Sequence, residues 1–322
     1  METQPELCRQ ALLMAGTHQA VITPPTGTEL LEPRGLRSTG VHDDLYARVL
    51  ALSDGTTSIA IVALDLVGLD LDLLRRLREA VTEQAGLSPE RLMLTASHSH
   101  SSPVTIPWGR IAQANRDRTW EAHLAETVGK AAARGLAAMV PVTLAAGRAP
   151  VQIGYNRRLP SVEGTVMAAN PYGAVAPWVD VLRVDRAGGP TLAVLFSHAA
   201  HAVSVHVADS RFSADFPGCA VRALERQLGG GVMGLFAQGC GADINVEPLA
   251  KGYAEAERVG NLLGDAACQA ALSAQPLPPG PLGTVLRSLQ LPFEPLDHDV
   301  IATAREKGEE AIRTLEAAGK DE

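Results

Sequence analysis

Cysteine is scarce in this 322-residue chain and widely spread: Cys8, Cys219, Cys240 and Cys268 form no Cys-x-x-Cys pair. That spacing indicates neither a disulfide scaffold nor a cysteine zinc site. Basic charge is the second shortage. Lysine and arginine total 28 against 36 aspartates and glutamates, a net charge of −8, and no basic stripe gathers the cations, which argues against a nucleic-acid partner. Long apolar runs are missing too. None reaches the roughly 18 to 20 residues that span a bilayer, so no integral membrane segment is expected and any lipid substrate has to come to the protein. The opening Met1-Glu2-Thr3-Gln4-Pro5-Glu6 carries acid where a secretory signal carries positive charge, and Leu12-Leu13-Met14 is too short for its apolar region, so a cytoplasmic location is expected. Aromatic residues make up only 4% of the chain, which gives little support for a lipid-binding surface.

What the chain does have is a pattern of histidines. Four of its nine fall in two clusters, Ser97-His98-Ser99-His100-Ser101-Ser102-Pro103 and His198-Ala199-Ala200-His201. Each follows a short apolar run, residues 91–96 and 191–196, that reads as a buried strand. Strand ends are where open α/β sheets place their chemistry. In extended backbone His98 and His100 point to the same side, so one can hold a metal while the other faces substrate. A lone His-x-His is more often a hydrogen-bonded pair than a metal site. The second cluster, in the same context, turns it into a zinc pattern resting on histidine and oxygen donors.

The 46% hydrophobic content is that of an ordinary globular protein, and the length suits one large domain or two smaller ones. The elements read as a weak structural repeat. Residues 45–51 and 58–66 flank Asp54-Gly55 as a hairpin, Leu73, Leu74, Leu77, Ala80 and Val81 mark a helix face, and the strand before His98 follows. The second half repeats hairpin, helix and strand over residues 179–184, 192–196, 216–228 and 232–236, with Asp243 at the end matching His98. Between the halves a helix from Trp120 to Met139 ends before Pro141. The expected fold is α/β, a mixed sheet with flanking helices arranged as two stacked sheets, α/β/β/α. Residues 152–177 read as an ordered surface loop in which Arg157 and Arg158 are solvated charges or anion clamps. Residues 274–281 read as a proline-stiffened linker, 284–291 as an apolar strand, and 300–315 as a charged helix whose narrow apolar face awaits a partner later in the chain. The expected organisation is an N-terminal extension over 1–14, a catalytic domain over 15–292, and a helical tail over 293–322 that begins a C-terminal portion.

An ordered series of motifs resembles the neutral or alkaline non-lysosomal ceramidases and their shorter bacterial relatives. The series comprises Ala15-Gly16 with Ile22-Thr23-Pro24, Gly40-Val41-His42-Asp43 running on to Ala47-Arg48, Ala63-Leu64-Asp65-Leu66, and Thr95 to Pro103, which is similar to the family's Ala-Thr-His-Thr-His-Ser-Gly-Pro. It continues with Tyr155-Asn156-Arg157-Arg158, His201-Ala202-Val203-Ser204, Ser213-Ala214-Asp215-Phe216-Pro217-Gly218, and the stretch from Phe236 to Asn245. The resemblance implies a zinc amidohydrolase of sphingolipid metabolism that cleaves an N-acylsphingosine-like or smaller amide with metal-activated water. It implies His98 and His201 as zinc ligands, with His198 the lesser candidate, and His100 facing the scissile group for transition-state stabilisation or proton transfer. Asp65 is expected to orient a ligand imidazole or to join the metal; a loop or helix-capping carboxylate is its plainer role.

Two departures from the family pattern matter. Asn245 stands where ceramidases have a serine of assigned catalytic role; an asparagine is no nucleophile, although it can donate to an oxyanion. Family members also supply a glutamate and a tyrosine to zinc from a later region. The chain is therefore expected to continue, to substitute Asp65 or Asp243, or to have lost turnover. Asp243 sits in a glycine-rich loop suited to an anion. Asn156 and Arg157 are expected to bind substrate. Asp215 is expected either to bind substrate or to cap a helix. His42 reads as an ordinary packed histidine, and His18, His123, His206 and His298 receive no role. A ceramidase-like scaffold without turnover, and a metal-dependent hydrolase of a small polar amide or ester, are the competing readings.

Overall fold

A computed structural model describes residues 13–31, 36–106, 116–162, 164–247, 249–292 and 297–317 of the chain. Most of the expected N-terminal extension lies outside these residues, and the first strand, β1, runs Met14–Val21. It pairs antiparallel with β3 (Tyr46–Ser53), and β3 with β4 (Ser58–Leu64), while the short β2 (Gly40–Val41) pairs parallel with β11 (Arg211–Phe212) in a sheet of its own. The tight turn between β3 and β4 follows from two residues: Asp54 Oδ1 accepts the Thr56 and Thr57 amides, and Gly55 takes the left-handed φ of 86° that the turn demands. Helix α1 (Leu71–Ala85) then crosses over to β5 (Leu92–Ala96), which lies parallel to β4. Asp70 starts the helix by accepting from the Leu73 amide at 2.8 Å, Gly86 ends it at φ 67°, and Leu73, Leu77 and Val81 face the sheet at helical spacing. Helix α2 (Arg118–Ala137) completes the half and packs beside α1.

The second half repeats this plan. Strand β6 (Val140–Pro150) pairs antiparallel with β9 (Trp178–Arg186), β9 with β10 (Thr191–His198), α3 (Asp215–Leu228) crosses to β12 (Met233–Gln238), and β12 is parallel to β10. Helix α4 (Tyr253–Leu272) packs beside α3. Among the described residues the halves join edge to edge through two register pairs, Met14 with Pro141 and Ala15 with Val140, giving the strand order β12-β10-β9-β6-β1-β3-β4-β5. A two-residue seam lets the sheet fold back on itself.

Three apolar cores show that it does. Val49, Val62 and Leu64 pack with Leu73, Leu77, Trp120 and Leu124 under α1 and α2. Val181, Phe196 and Phe236 pack with Phe216, Leu224 and Leu263 under α3 and α4. Between them lies a third core in which Leu50, Leu52 and Ala63 of one half meet Val184, Leu192 and Leu235 of the other. Neighbours such as Val49 and Leu50, or Leu235 and Phe236, therefore serve different cores, because successive strand residues point to opposite faces. Both faces being buried is why these strands read as unbroken apolar runs. Each fully buried side chain of this size contributes about 1.5–3 kcal/mol. The α/β/β/α arrangement expected from the sequence is the one observed. Close packing at its hinge depends on Gly16, where a Cβ would sit 2.0 Å from the Gly135 carbonyl oxygen of α2.

Two expectations are corrected. Residues 152–177 are not a surface loop. They hold β7 (Gly154–Ser161) and β8 (Gly164–Asn170), a hairpin that pairs on its inner edge with β13 (Ile244–Val246). Almost every β8 residue is exposed, so the hairpin lacks the apolar alternation by which strands are read. Residues 284–291 form no strand; Val285, Leu286, Leu289 and Leu291 are exposed and pair with nothing extended. A separate unit begins at Val285 and contains helix α5 (His298–Ala317), where Val300, Ile301 and Ile312 are exposed. Among the described residues no helix is long and apolar enough to cross a membrane.

Candidate metal centre

The two parallel-strand ends build the site. Past β5, Ser97 N and His98 N donate to Leu64 O and Leu66 O at 2.9 Å, which keeps the chain beside the end of β4. His98 then adopts a left-handed φ of 66°, and its Nδ1 donates to Val67 O at 2.6 Å. Past β10, His201 N donates to Ile244 O at 2.8 Å and its Nδ1 to Gly241 O at 2.7 Å. The loops are stitched together: His100 N donates to Ala202 O at 3.1 Å, Ser99 bridges Ala202, and His201 bridges Asn245.

This stitching brings His98, His100 and His201 together. Ring centroids lie 4.5 Å apart for His98 and His201, 5.1 Å for His98 and His100, and 5.8 Å for His100 and His201. One nitrogen from each falls within 4.8 Å of the others, and among the described residues no other group of histidine, cysteine or carboxylate donors does so. A carbonyl can only accept, so Nδ1 of His98 and of His201 carries the hydrogen and Nε2 keeps its lone pair. A ligand imidazole is usually held in this way by an outer partner.

Electrostatics favour the neutral, ligating form. Burial lowers the His98 pKa below its ordinary value, with Arg157 acting in the same sense. Burial, reinforced by His98 and Arg157, takes His201 down to about 4. Burial with His98, His206, His201 and Arg157 takes His100 to about 2. These donors suit a divalent ion that prefers imidazole, as zinc does.

An unfolded histidine titrates near 6.5, so between that pH and about 4 the unfolded chain binds protons that His201 and His100 refuse. Their contribution to stability is full above 6.5 and is lost as pH falls towards 4 and then 2. Asp215, raised to about 6 by burial, acts oppositely in part of this window. Comparing metal-free wild type with His201→Asn isolates the imidazole. Urea midpoints at pH 7 and 4.5 should fall further in the wild type; parallel falls would contradict the shift.

Arg157, half-buried on β7, is close enough for its charge to depress all three histidines. It is held by its own amide on Asp243 O at 2.7 Å and by Nη1 on Asn245 Oδ1 at 3.2 Å. Asn156 is buried and donates to Asp243 Oδ2 at 2.9 Å, so this pair braces the loop. Asp243 also lines a cavity of about 380 Å³ with Trp178, His198 and Cys240, a lining that includes none of the three clustered histidines. His198 Nδ1 donates there to Trp178 O, which separates it from His201.

Two expected carboxylates are used otherwise. Asp65 is buried, ion-paired to Arg48 at 2.7 Å and accepting from Tyr46 N at 2.9 Å, and it is no member of the donor group. The partner of His98 from the loop after β4 is the Val67 carbonyl instead. Asp215 is wholly buried and accepts from Val205 N at 3.0 Å and Phe216 N at 2.5 Å, so it fixes the loop after His201. His42 stacks on Tyr253 with centroids 3.5 Å apart. One residue given no role does join the site: the His206 ring lies 5.4 Å from that of His100. Its sequence spacing gives no sign of this.

No protein-family model matches the chain, and no curated protein matches it. Its fold is similar to that of a neutral ceramidase from Pseudomonas aeruginosa, with a TM-score of 0.70 at 18% identity over 83% of this chain and 46% of that one. It is equally similar to a ceramidase complexed with C2, with a TM-score of 0.70 at 19% identity over 83% of this chain and 45% of the other. The chain spans somewhat under half the length of either. The ceramidase resemblance of the motifs thus extends to the fold.

Proposed function

We propose that the chain carries the histidine face of a zinc hydrolase centre that cleaves an amide bond of an N-acylsphingosine-like lipid. The observation that carries this reading is the meeting of His98, His100 and His201 from two stitched strand-end loops. The amide as the target bond is supported by the motif series and by the fold likeness to two ceramidases. His98 and His201, with Nδ1 tied to backbone carbonyls, are the ligands. When bound, zinc supplies a Lewis acid for the carbonyl oxygen and brings the pKa of water towards neutrality.

The remaining roles follow from charge and geometry. His100, pushed to about 2 by burial, stays neutral near pH 7 and is too weak a base to shuttle protons there. Its N–H is instead a donor to the amide oxygen as negative charge develops on it. Arg157 adds fixed positive charge, held in place by Asn245 and the Asp243 carbonyl. Asn245 stands where the ceramidases that the motifs resemble carry a serine and has no nucleophilic atom, so in this reading the attacking group is water and no acyl-enzyme forms at that position. Arg157, a cation beside the centre, also favours an anionic group next to the scissile bond, which makes a small polar amide the second reading.

Fatty-acid release from a short-chain ceramide and from an N-acyl amino acid by the zinc-loaded chain tests this. His100→Ala should slow release by about a hundredfold to a thousandfold, the cost of one oxyanion donor, with zinc content unchanged. Parallel loss of zinc, or an acyl group trapped on a hydroxyl, would contradict the roles given.

A further inference from the structure

We infer that His206 is a positioning residue for His100, a role that rests on His100 being a donor in the proposed site. His206 opens a short 3-10 turn (His206–Ala208), half-buried, with its ring 5.4 Å from His100 at 88°. His98 stands 5.1 Å from His100 at 77°. The His100 ring is therefore contacted edge-to-face by two imidazoles. A donor to a developing charge has to be held within about 0.5 Å and 10–20° of its working orientation, and ring contacts of this kind lock a rotamer.

The backbone supplies a second, independent observation. Among the described residues only His98, His206, Asp215 and Ala250 have positive φ without being glycine. All four belong to one loop system. His206 stands at φ 41°, Asp215 at 54° accepts the amide of Val205, the residue just before His206, and Ala250 N donates to Val203 O at 3.0 Å. Left-handed backbone costs a histidine energy that glycine escapes, and it persists only where the surroundings enforce it. Here buried Asp215 and the 250–252 segment, whose Lys251 and Gly252 amides donate to Ser204 O, enforce it. Both strained histidines place their rings against His100. A position that glycine would occupy without strain is filled by a side chain whose contact is with the proposed donor.

The test labels histidines with diethyl pyrocarbonate in the metal-free chain and reads each site by mass spectrometry. His206→Gly removes the ring and relieves the backbone. His100 should then react several-fold faster while His198, in its own cavity, keeps its rate as an internal reference. Relief of the positive φ offsets the lost packing, so the melting midpoint should stay within about 3 °C of wild type. His206→Phe keeps a ring and should restore slow labelling of His100. With substrate, His206→Gly should lower kcat by about tenfold or more and leave KM within about twofold, because orientation and not binding is lost. An unchanged His100 rate in folded His206→Gly, or an equal rise at His198, would overturn the inference. Labelling needs neither zinc nor substrate, so a chain that fails to bind zinc or to turn over defeats the proposed function while the contact is still judged by labelling.

Discussion

With the proposed centre, bound zinc should fall from about one ion per chain to almost none in the His201→Ala chain, whereas His198→Ala should keep it. The two residues are three positions apart in one sequence cluster, and only geometry separates them. His201 Nδ1 is bound to Gly241 O, which leaves Nε2 for the group it forms with His98 and His100. His198 Nδ1 is bound to Trp178 O, and its ring lines a different cavity. Losing an outer partner of a ligand weakens metal binding by about tenfold to a hundredfold, so losing the ligand itself should exceed about a hundredfold. His98→Ala should behave like His201→Ala. Metal analysis after desalting reads all three variants, and zinc kept by His201→Ala but lost by His198→Ala would move the centre to the other cavity.

The second large effect is on stability. Asp65→Ala should destabilise the fold by about 3–5 kcal/mol, because it leaves the Arg48 guanidinium buried without its carboxylate. Both side chains of the pair are almost fully buried, and burial pushes the Asp65 carboxyl up even though Arg48 pulls it down. Desolvation is thus a large part of the balance, and removing one partner is worse than removing both. Replacing Asp65 by Leu together with Arg48 by Met should recover most of the loss. Urea unfolding measures this, and zinc content at a temperature where the variant is folded separates the roles. A variant of unchanged stability that cannot hold zinc would make Asp65 a ligand after all.

The sequence was most informative where burial imposes a period. Residues 45–66 and 179–196 read as hairpins because Val49, Leu50, Val194 and Phe196 are buried whichever way they point, and the Asp54-Gly55 turn marks its own position. The stacking of two sheets follows from the same runs, since only two covered faces explain them. Residues 154–170 were illegible for the converse reason: β8 is exposed on both sides, and its pairing depends on β7 and the distant β13. Val285 to Leu291 have strand composition without an edge to pair with, which composition cannot reveal.

At the centre, motif order pointed to His98, His100 and His201 and geometry brings them together, yet the neighbours that matter were hidden. Val67 and Gly241 act through backbone carbonyls, which no residue type discloses. Asp65 looked like a metal partner because a carboxylate at a strand end suits that role, and its capture by Arg48 from the adjacent strand depends on the β3–β4 register. His206 reaches His100 only through a left-handed turn that its sequence does not announce.

The most direct measurement is X-ray absorption at the zinc edge of the zinc-loaded chain. The proposed centre should give imidazole scattering from His98 and His201 with nitrogen and oxygen neighbours at about 2.0–2.1 Å, lost together with bound zinc in His98→Ala and His201→Ala. A first shell containing sulfur at about 2.3 Å, or a chain that retains no zinc at all, would contradict it.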